Sequence, residues 1–162
     1  MKILGIDPGV ARVGWGLVEE SGGKQSSLAW GCFETQASKT LESRLEEIHN
    51  FLENLIAREK PDQMAVEQLF FATNAKTAIA VGQSRGVIIL TAKEAQLPVV
   101  SYTPLQVKLA LTGYGQADKH QIQMMVKTIL KLPKVPTPDD AADALAIALT
   151  HAFSYKLRAG TK

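Results

Sequence analysis

The chain has 162 residues, 46% of them hydrophobic and 21% charged, which fits one compact domain over residues 1–162 with a proper core and gives no sign of a second. Its formal charge is +2, but 10 Lys or Arg face 12 Asp or Glu over residues 1–100, a balance of −2, whereas 8 face 4 over residues 101–162, a balance of +4. A lone cysteine, Cys32, excludes an intrachain disulfide, the apolar run after Lys2 breaks at Asp7 too early for a signal peptide, and no stretch approaches the roughly 20 apolar residues of a membrane helix; a soluble, cytoplasmic protein is expected.

Ile3, Leu4 and Ile6 form an apolar run with the length and branching of a buried strand, and it stops at Asp7, followed by Pro8 and Gly9. Asp-Pro-Gly is good turn chemistry in its own right, so Asp7 has a structural reading beside a chemical one. Gly9, Gly14 and Gly16 with the run Val13 to Val18 predict a turn and a second strand. Ser21-Gly22-Gly23-Lys24 then makes a hairpin loop, and Ser27 to Thr35 a third strand. Cys32, between Gly31 and Phe33, reads as a small core residue. Gly14 and Gly16 mark a close approach, either of a ligand or of a helix packed on the sheet.

Leu41, Leu45, Ile48, Leu52, Leu55 and Ile56 recur at helical spacing with charged residues between them, an amphipathic helix ended by Pro61. Asp62 to Glu67 is a fourth strand that again closes on a carboxylate. From Thr73 to Gln96 a second helix is apolar around more of its circumference than one sheet can cover. Its small residues Ala75, Ala78, Gly82 and Gly86 favour close approach, in a dimer interface or in deep burial within one chain. Pro98 to Tyr102 is a fifth strand, Pro104 opens a helix to about Leu111, and Gly113-Tyr114-Gly115 breaks it. Asp118 caps a helix with a core stripe of Ile122, Met125, Val126, Ile129 and Leu130. For the last helix, Thr137 is the expected N-cap, Pro138 the first helical residue and Asp140 the capping-box partner. The expected architecture is α/β, a mixed sheet of three antiparallel strands followed by two parallel ones, with helices on both faces.

Four carboxylates thus fall at element ends: Asp7, Glu67, and the pair Asp140 and Asp143, three apart and on one helix face. Brought together they would make a metal site. Asp143 is the most telling, because it interrupts the apolar run Ala141 to Leu149, whereas Asp140 already has a helix-dipole explanation. Phe70, followed by Phe71, is either core or an aromatic that stacks on a base. Lys108 and Lys119 flank the glycine break and either grip phosphates or sit solvated. His49, His120 and His151 show no ligand spacing.

The segments Leu4-Gly5-Ile6-Asp7-Pro8-Gly9, Ala65-Val66-Glu67-Gln68-Leu69-Phe70, Gly82-Gln83-Ser84-Arg85-Gly86, Gln106-Val107-Lys108, Ala117-Asp118-Lys119 and Asp140 to Ala146 closely resemble, in order, the RuvC family of Holliday-junction resolvases. The resemblance implies a ribonuclease-H-like fold, a homodimer, and resolution of four-way DNA junctions in recombination and repair by paired symmetric nicks that leave 5'-phosphate and 3'-hydroxyl ends. It further implies Mg2+ as cofactor, two ions per site with Mn2+ as a substitute, and the RuvA and RuvB branch-migration complex as partner. The family's four catalytic, metal-holding acids fall on Asp7, Glu67, Asp140 and Asp143, and its DNA-contacting residues on Phe70, Lys108 and Lys119. Asp139 lies outside that pattern. The chemistry asks for the same residue types: phosphodiester hydrolysis needs an activated water, a neutralised phosphate and a stabilised leaving oxygen, which a pair of magnesium ions on hard oxygen ligands provides.

Three other readings compete. Gly-Ile-Asp-Pro-Gly also resembles the first phosphate loop of actin-like ATPases and sugar kinases, but the second domain and second glycine-rich loop of those proteins are missing here. A non-catalytic junction-binding module would not need all four acids. A ribonuclease H acting on RNA in hybrids would share fold and metals and lack the matched segments.

Overall fold

The computed structural model describes residues 1–68 and 75–159. Ten elements follow in order: β1 (Lys2–Asp7), β2 (Arg12–Ser21), β3 (Lys24–Glu34), α1 (Leu41–Glu59), β4 (Gln63–Glu67), α2 (Ala75–Glu94), β5 (Val99–Tyr102), α3 (Pro104–Thr112), α4 (Lys119–Ile129) and α5 (Asp139–Ala159). The strands form one mixed sheet in the order β3-β2-β1-β4-β5. β1 pairs antiparallel with β2, which pairs antiparallel with β3, while β1–β4 and β4–β5 are parallel.

β1 is central and buried on both faces, which is why it reads as a continuous apolar run without alternation. On one face Leu4, Ile6, Leu17, Met64 and Val66 pack against Ile48, Leu52 and Leu55 of α1 and Ile88 and Ala92 of α2. On the other, Ile3, Val18, Ala65 and Tyr102 pack against α3, α4 and α5. Helices therefore cover both faces, as expected. Among the described residues no helix is long and apolar enough to cross a membrane.

The third strand starts three residues earlier than expected, at Lys24. Gly22 and Gly23 both take positive φ, 55° and 92°, so the loop needs only those two residues and Ser21 already pairs with Lys24. Asp118 does cap α4, in a reciprocal box with Gln121: the Gln121 N–H donates to Asp118 at 2.8 Å and the Asp118 N–H to Gln121 at 2.9 Å. The start of α5 differs. The Thr137–Pro138 peptide is cis and the helix begins at Asp139, so Pro138 is not its first residue. Asp140 then sits in the second helical position, with its carboxylate turned toward Arg12 of β2 instead of back toward Thr137.

The close approach foreseen at Gly14 and Gly16 is that of a helix. A Cβ on Gly14 would lie 2.0 Å from the Asp140 carbonyl oxygen, one on Gly5 2.0 Å from that of Ala144, and one on Gly16 2.7 Å from Leu145 Cδ2. Asp140 and Ala144 stand one turn apart, so α5 rests by its own backbone on a shallow glycine groove across β1 and β2. This explains its alanine-rich sequence: residues 141, 142, 144–149 and 152 are all essentially buried.

The second helix divides its apolar surface. Ser84, Ile88, Thr91 and Ala92 face inward and are buried. Ile79 and Leu90 are 62% and 56% exposed, and Gly86 opens on empty space. Burial within one chain does not account for that outer face.

Candidate active site

β1 and β4 run parallel, with Ile6 opposite Val66, so Asp7 and Glu67 follow side by side where the two strands end. Asp7 also faces Gly14 across the β1–β2 ladder, and Gly14 is the residue on which the Asp140 backbone rests. α5 therefore crosses directly over the strand ends. Its acids at 139 and 143 are one turn apart on one face, while Asp140 is rotated toward β2.

Electrostatics reports this convergence. The Asp7 carboxyl is pushed up from 3.8 to about 8, first by burial and then by the negative charges of Glu67, Asp143 and Asp140. Burial followed by the Asp143 charge raises Glu67 as well, although a hydrogen bond with Asp7 offsets part of this. Asp143 is raised mainly by burial, against the favourable pull of Lys119. The Lys119 ammonium sits 3.1 Å from Asp143 Oδ2 and 3.3 Å from Asp139 Oδ2. Its partial burial disfavours the charge, yet these two carboxylates outweigh that and raise its pKa. Asp140 lies apart from this ammonium, with Arg12 Nη1 3.9 Å from its Oδ2 and the Cys32 thiol 4.0 Å away.

Among the described residues no three acids, histidines or cysteines are drawn into a finished metal cage. The donor set nonetheless fits a hard divalent cation: it consists of carboxylate oxygens, and burial together with the neighbouring acid charges pushes the Asp7 carboxyl up to about 8. A cation there would relieve the repulsion among the acids that Lys119 relieves in part.

Beside the acids is a cleft of about 240 Å³ between α3, α4 and α5, with Glu67, Asp143, Lys108 and Lys119 at its polar side and Val107 and Ile122 at its apolar side. Five of the expected site residues therefore gather around Asp7 or this cleft, namely Glu67, Asp143, Asp140, Lys108 and Lys119. Phe70 lies outside the described residues. The sequence reading missed two contributors. Asp139 shares Lys119 with Asp143, and its signal was the four-residue spacing between the two acids. Arg12 faces Asp140, and nothing local in the sequence links residues 128 positions apart.

A family model described as crossover junction endodeoxyribonuclease RuvC matches residues 3–151. The chain belongs to the RuvC family. Within it, the crossover junction endodeoxyribonuclease RuvC of Halothermothrix orenii is 51% identical over 164 residues, covering 100% of this chain and 99% of the relative. That of Desulforamulus reducens is 51% identical over 152 residues, 94% of this chain and 93% of the relative. Among solved structures, Thermus thermophilus RuvC superposes with a TM-score of 0.90 at 39% identity, covering 98% of this chain and 97% of that one. The same protein in complex with a Holliday junction substrate gives 0.89 at 37% identity over 97% and 96%. The yeast mitochondrial Holliday junction resolvase Ydc2, at 17% identity and a TM-score of 0.70, shares the fold. The sheet order and helix layers are those of the ribonuclease-H-like resolvases, as the RuvC resemblance implied.

Proposed function

We propose that this RuvC-family protein is a Mg2+-dependent endodeoxyribonuclease that resolves four-way DNA junctions in recombination and repair, as a homodimer that makes paired symmetric nicks. The observation that carries this reading is the gathering of Glu67, Asp143 and Asp140 around a buried Asp7, whose carboxyl is raised to about 8 first by burial and then by those neighbouring charges, in a chain of this family. Such crowding is costly unless positive charge is to be bound.

In this reading Asp7, Glu67, Asp140 and Asp143 are the carboxylates that would hold the metal ions, with Asp7 and Glu67 contributed by the strand ends and the other two by α5. Two divalent ions held there would supply an activated water, a neutralised phosphate and a stabilised leaving oxygen, giving 5'-phosphate and 3'-hydroxyl ends. Lys119 holds Asp143 in place and balances its charge. Lys108, which lines the cleft with Lys119, is assigned to meeting a phosphate of the bound strand. Phe70, three residues after Glu67 in sequence, is assigned to stacking on unpaired bases at the crossover. The exposed outer face of α2, with Ile79, Gly86 and Leu90, supports the homodimer, and the RuvA and RuvB complex is the proposed motor partner.

The test uses a synthetic four-way junction, a linear duplex and an RNA/DNA hybrid, each with and without Mg2+. Cutting of the junction alone, with Mg2+ or Mn2+ required, is expected. Preference for the hybrid would make the protein a ribonuclease H, and binding without cutting would make it a junction-shaping module.

A further inference from the structure

The segment Gly82 to Gly86 stands out in the sequence, yet neither Ser84 nor Arg85 belongs to the cluster of acids. Arg85 reaches the strand that carries Glu67, and Ser84 reaches the loop that follows Asp7. Ser84 is fully buried, and its hydroxyl donates to the Gly9 carbonyl at 2.8 Å. Arg85 Nε donates to the Glu67 carbonyl at 2.9 Å, while its Nη2 donates to Ser101 Oγ at 2.7 Å. Gly9 closes the turn that follows Asp7, and Glu67 is itself one of the acids.

The geometry suits a spacer. Successive side chains on an α-helix diverge by about 100°, so neighbours at 84 and 85 fork toward two separate segments. Arg85 meets Glu67, the last residue of β4, just past the end of its ladder with β1, and Ser84 meets Gly9, two residues beyond the end of β1. The helix carrying the fork is itself tied to α1, where Thr91 Oγ1 meets His49 Nδ1 at 2.9 Å. We propose that Ser84 and Arg85 are positioning residues that fix the spacing of Asp7 and Glu67, and thereby set how tightly the site holds a divalent cation.

The inference rests on the metal-site reading above, so the experiment separates the two. Mn2+ binding to the full-length, DNA-free protein is measured by calorimetry, beside the Mg2+ dependence of junction cleavage and thermal unfolding. Ser84→Ala and Arg85→Ala should each weaken Mn2+ binding about tenfold, the lower end of what losing an outer-shell partner costs, and raise the Mg2+ needed for half-maximal cleavage by a similar factor. Ser84→Thr, which keeps the hydroxyl, should stay near the unmodified protein. Arg85→Lys, which can keep one of the two bonds, should fall between. Lower melting temperatures with unchanged Mn2+ affinity and Mg2+ dependence would overturn the proposal, since the pair would then only fasten α2 to the sheet. Should Asp7→Asn bind Mn2+ and cut as well as the unmodified chain, the metal-site reading falls, and this proposal with it. Loss of binding in Asp7→Asn but not in the Ser84 and Arg85 variants defeats the positioning role alone.

Discussion

At the scale of single residues, burying Asp7 among other acids costs the protein stability that a bound cation would restore. Asp7 holds its proton more tightly folded than unfolded, with a pKa of about 8 against 3.8, so the folded state binds more protons across that window. The contribution of Asp7 to the stability of the metal-free protein is therefore fully present below about 3.8 and is lost as pH rises through about 8. Glu67 and Asp143, shifted in the same direction, add to the slope. Calorimetric melting in chelator should show a falling transition temperature across this range, a flatter profile for Asp7→Asn, and a larger gain from Mg2+ at pH 8 than at pH 6. The same Asp7→Asn change should lower cleavage by on the order of a thousandfold, the scale on which preorganised charge stabilisation acts, and leave junction binding intact. An equal loss of binding and cleavage would make Asp7 structural. Asp143→Asn should be as severe, whereas Asp139→Asn, which removes only one of the two carboxylates on Lys119, should be milder; junction-cleavage rates for the two will decide.

At the scale of elements, the position of α5 rests on glycines that have no room to become anything else. Gly14→Ala should cost about 1–3 kcal/mol of stability, as overpacking does, and should reduce cleavage beyond that by lifting Asp140 away from Asp7. Denaturant unfolding and cleavage rates measured together will separate the two effects. Here the sequence was informative up to a point. The apolar runs of β1 and β4 revealed both strands and the acids that close them, and Asp118 revealed the α4 cap, because each signal lies within a few residues. Gly14 and Gly16 announced a close approach without saying of what, since the answer is a helix more than a hundred residues later. The start of α5 was misread for a related reason. Thr137, Pro138 and Asp140 form a plausible local cap, but Asp140 is turned toward Arg12. The bonds from Ser84 and Arg85 span 75 and 18 residues, beyond any local signal.

At the scale of the whole molecule, the proposed homodimer would use the outer face of α2 to link one site to a second. A homodimer built there would place two identical sites about a two-fold axis, matching the symmetry of an open four-way junction. Ile79→Glu changes a residue that is 62% exposed in the single chain, so its fold should hold to within about 0.5 kcal/mol. In sedimentation the variant should be monomeric, and on a supercoiled plasmid with an extruded cruciform it should give nicked circles. The unmodified dimer should give linear DNA, because one nick relaxes the circle and removes the substrate, while two within one encounter do not. Dimeric behaviour of Ile79→Glu would move the interface elsewhere.

The glycine groove under α5 also makes a prediction for suppressor genetics. At Gly16 an added methyl would meet chiefly the Leu145 side chain, and a side chain can be shortened. A screen for restored function in Gly16→Ala should therefore return smaller residues at 145. At Gly14 and Gly5 the obstacle is the carbonyl oxygen of Asp140 or Ala144, which every amino acid carries. Intragenic suppressors that fill the same space differently do not exist for those two positions, so only reversion should be recovered. Two glycines a few residues apart, alike in sequence and burial, should thus differ in whether evolution can leave them and return by another route.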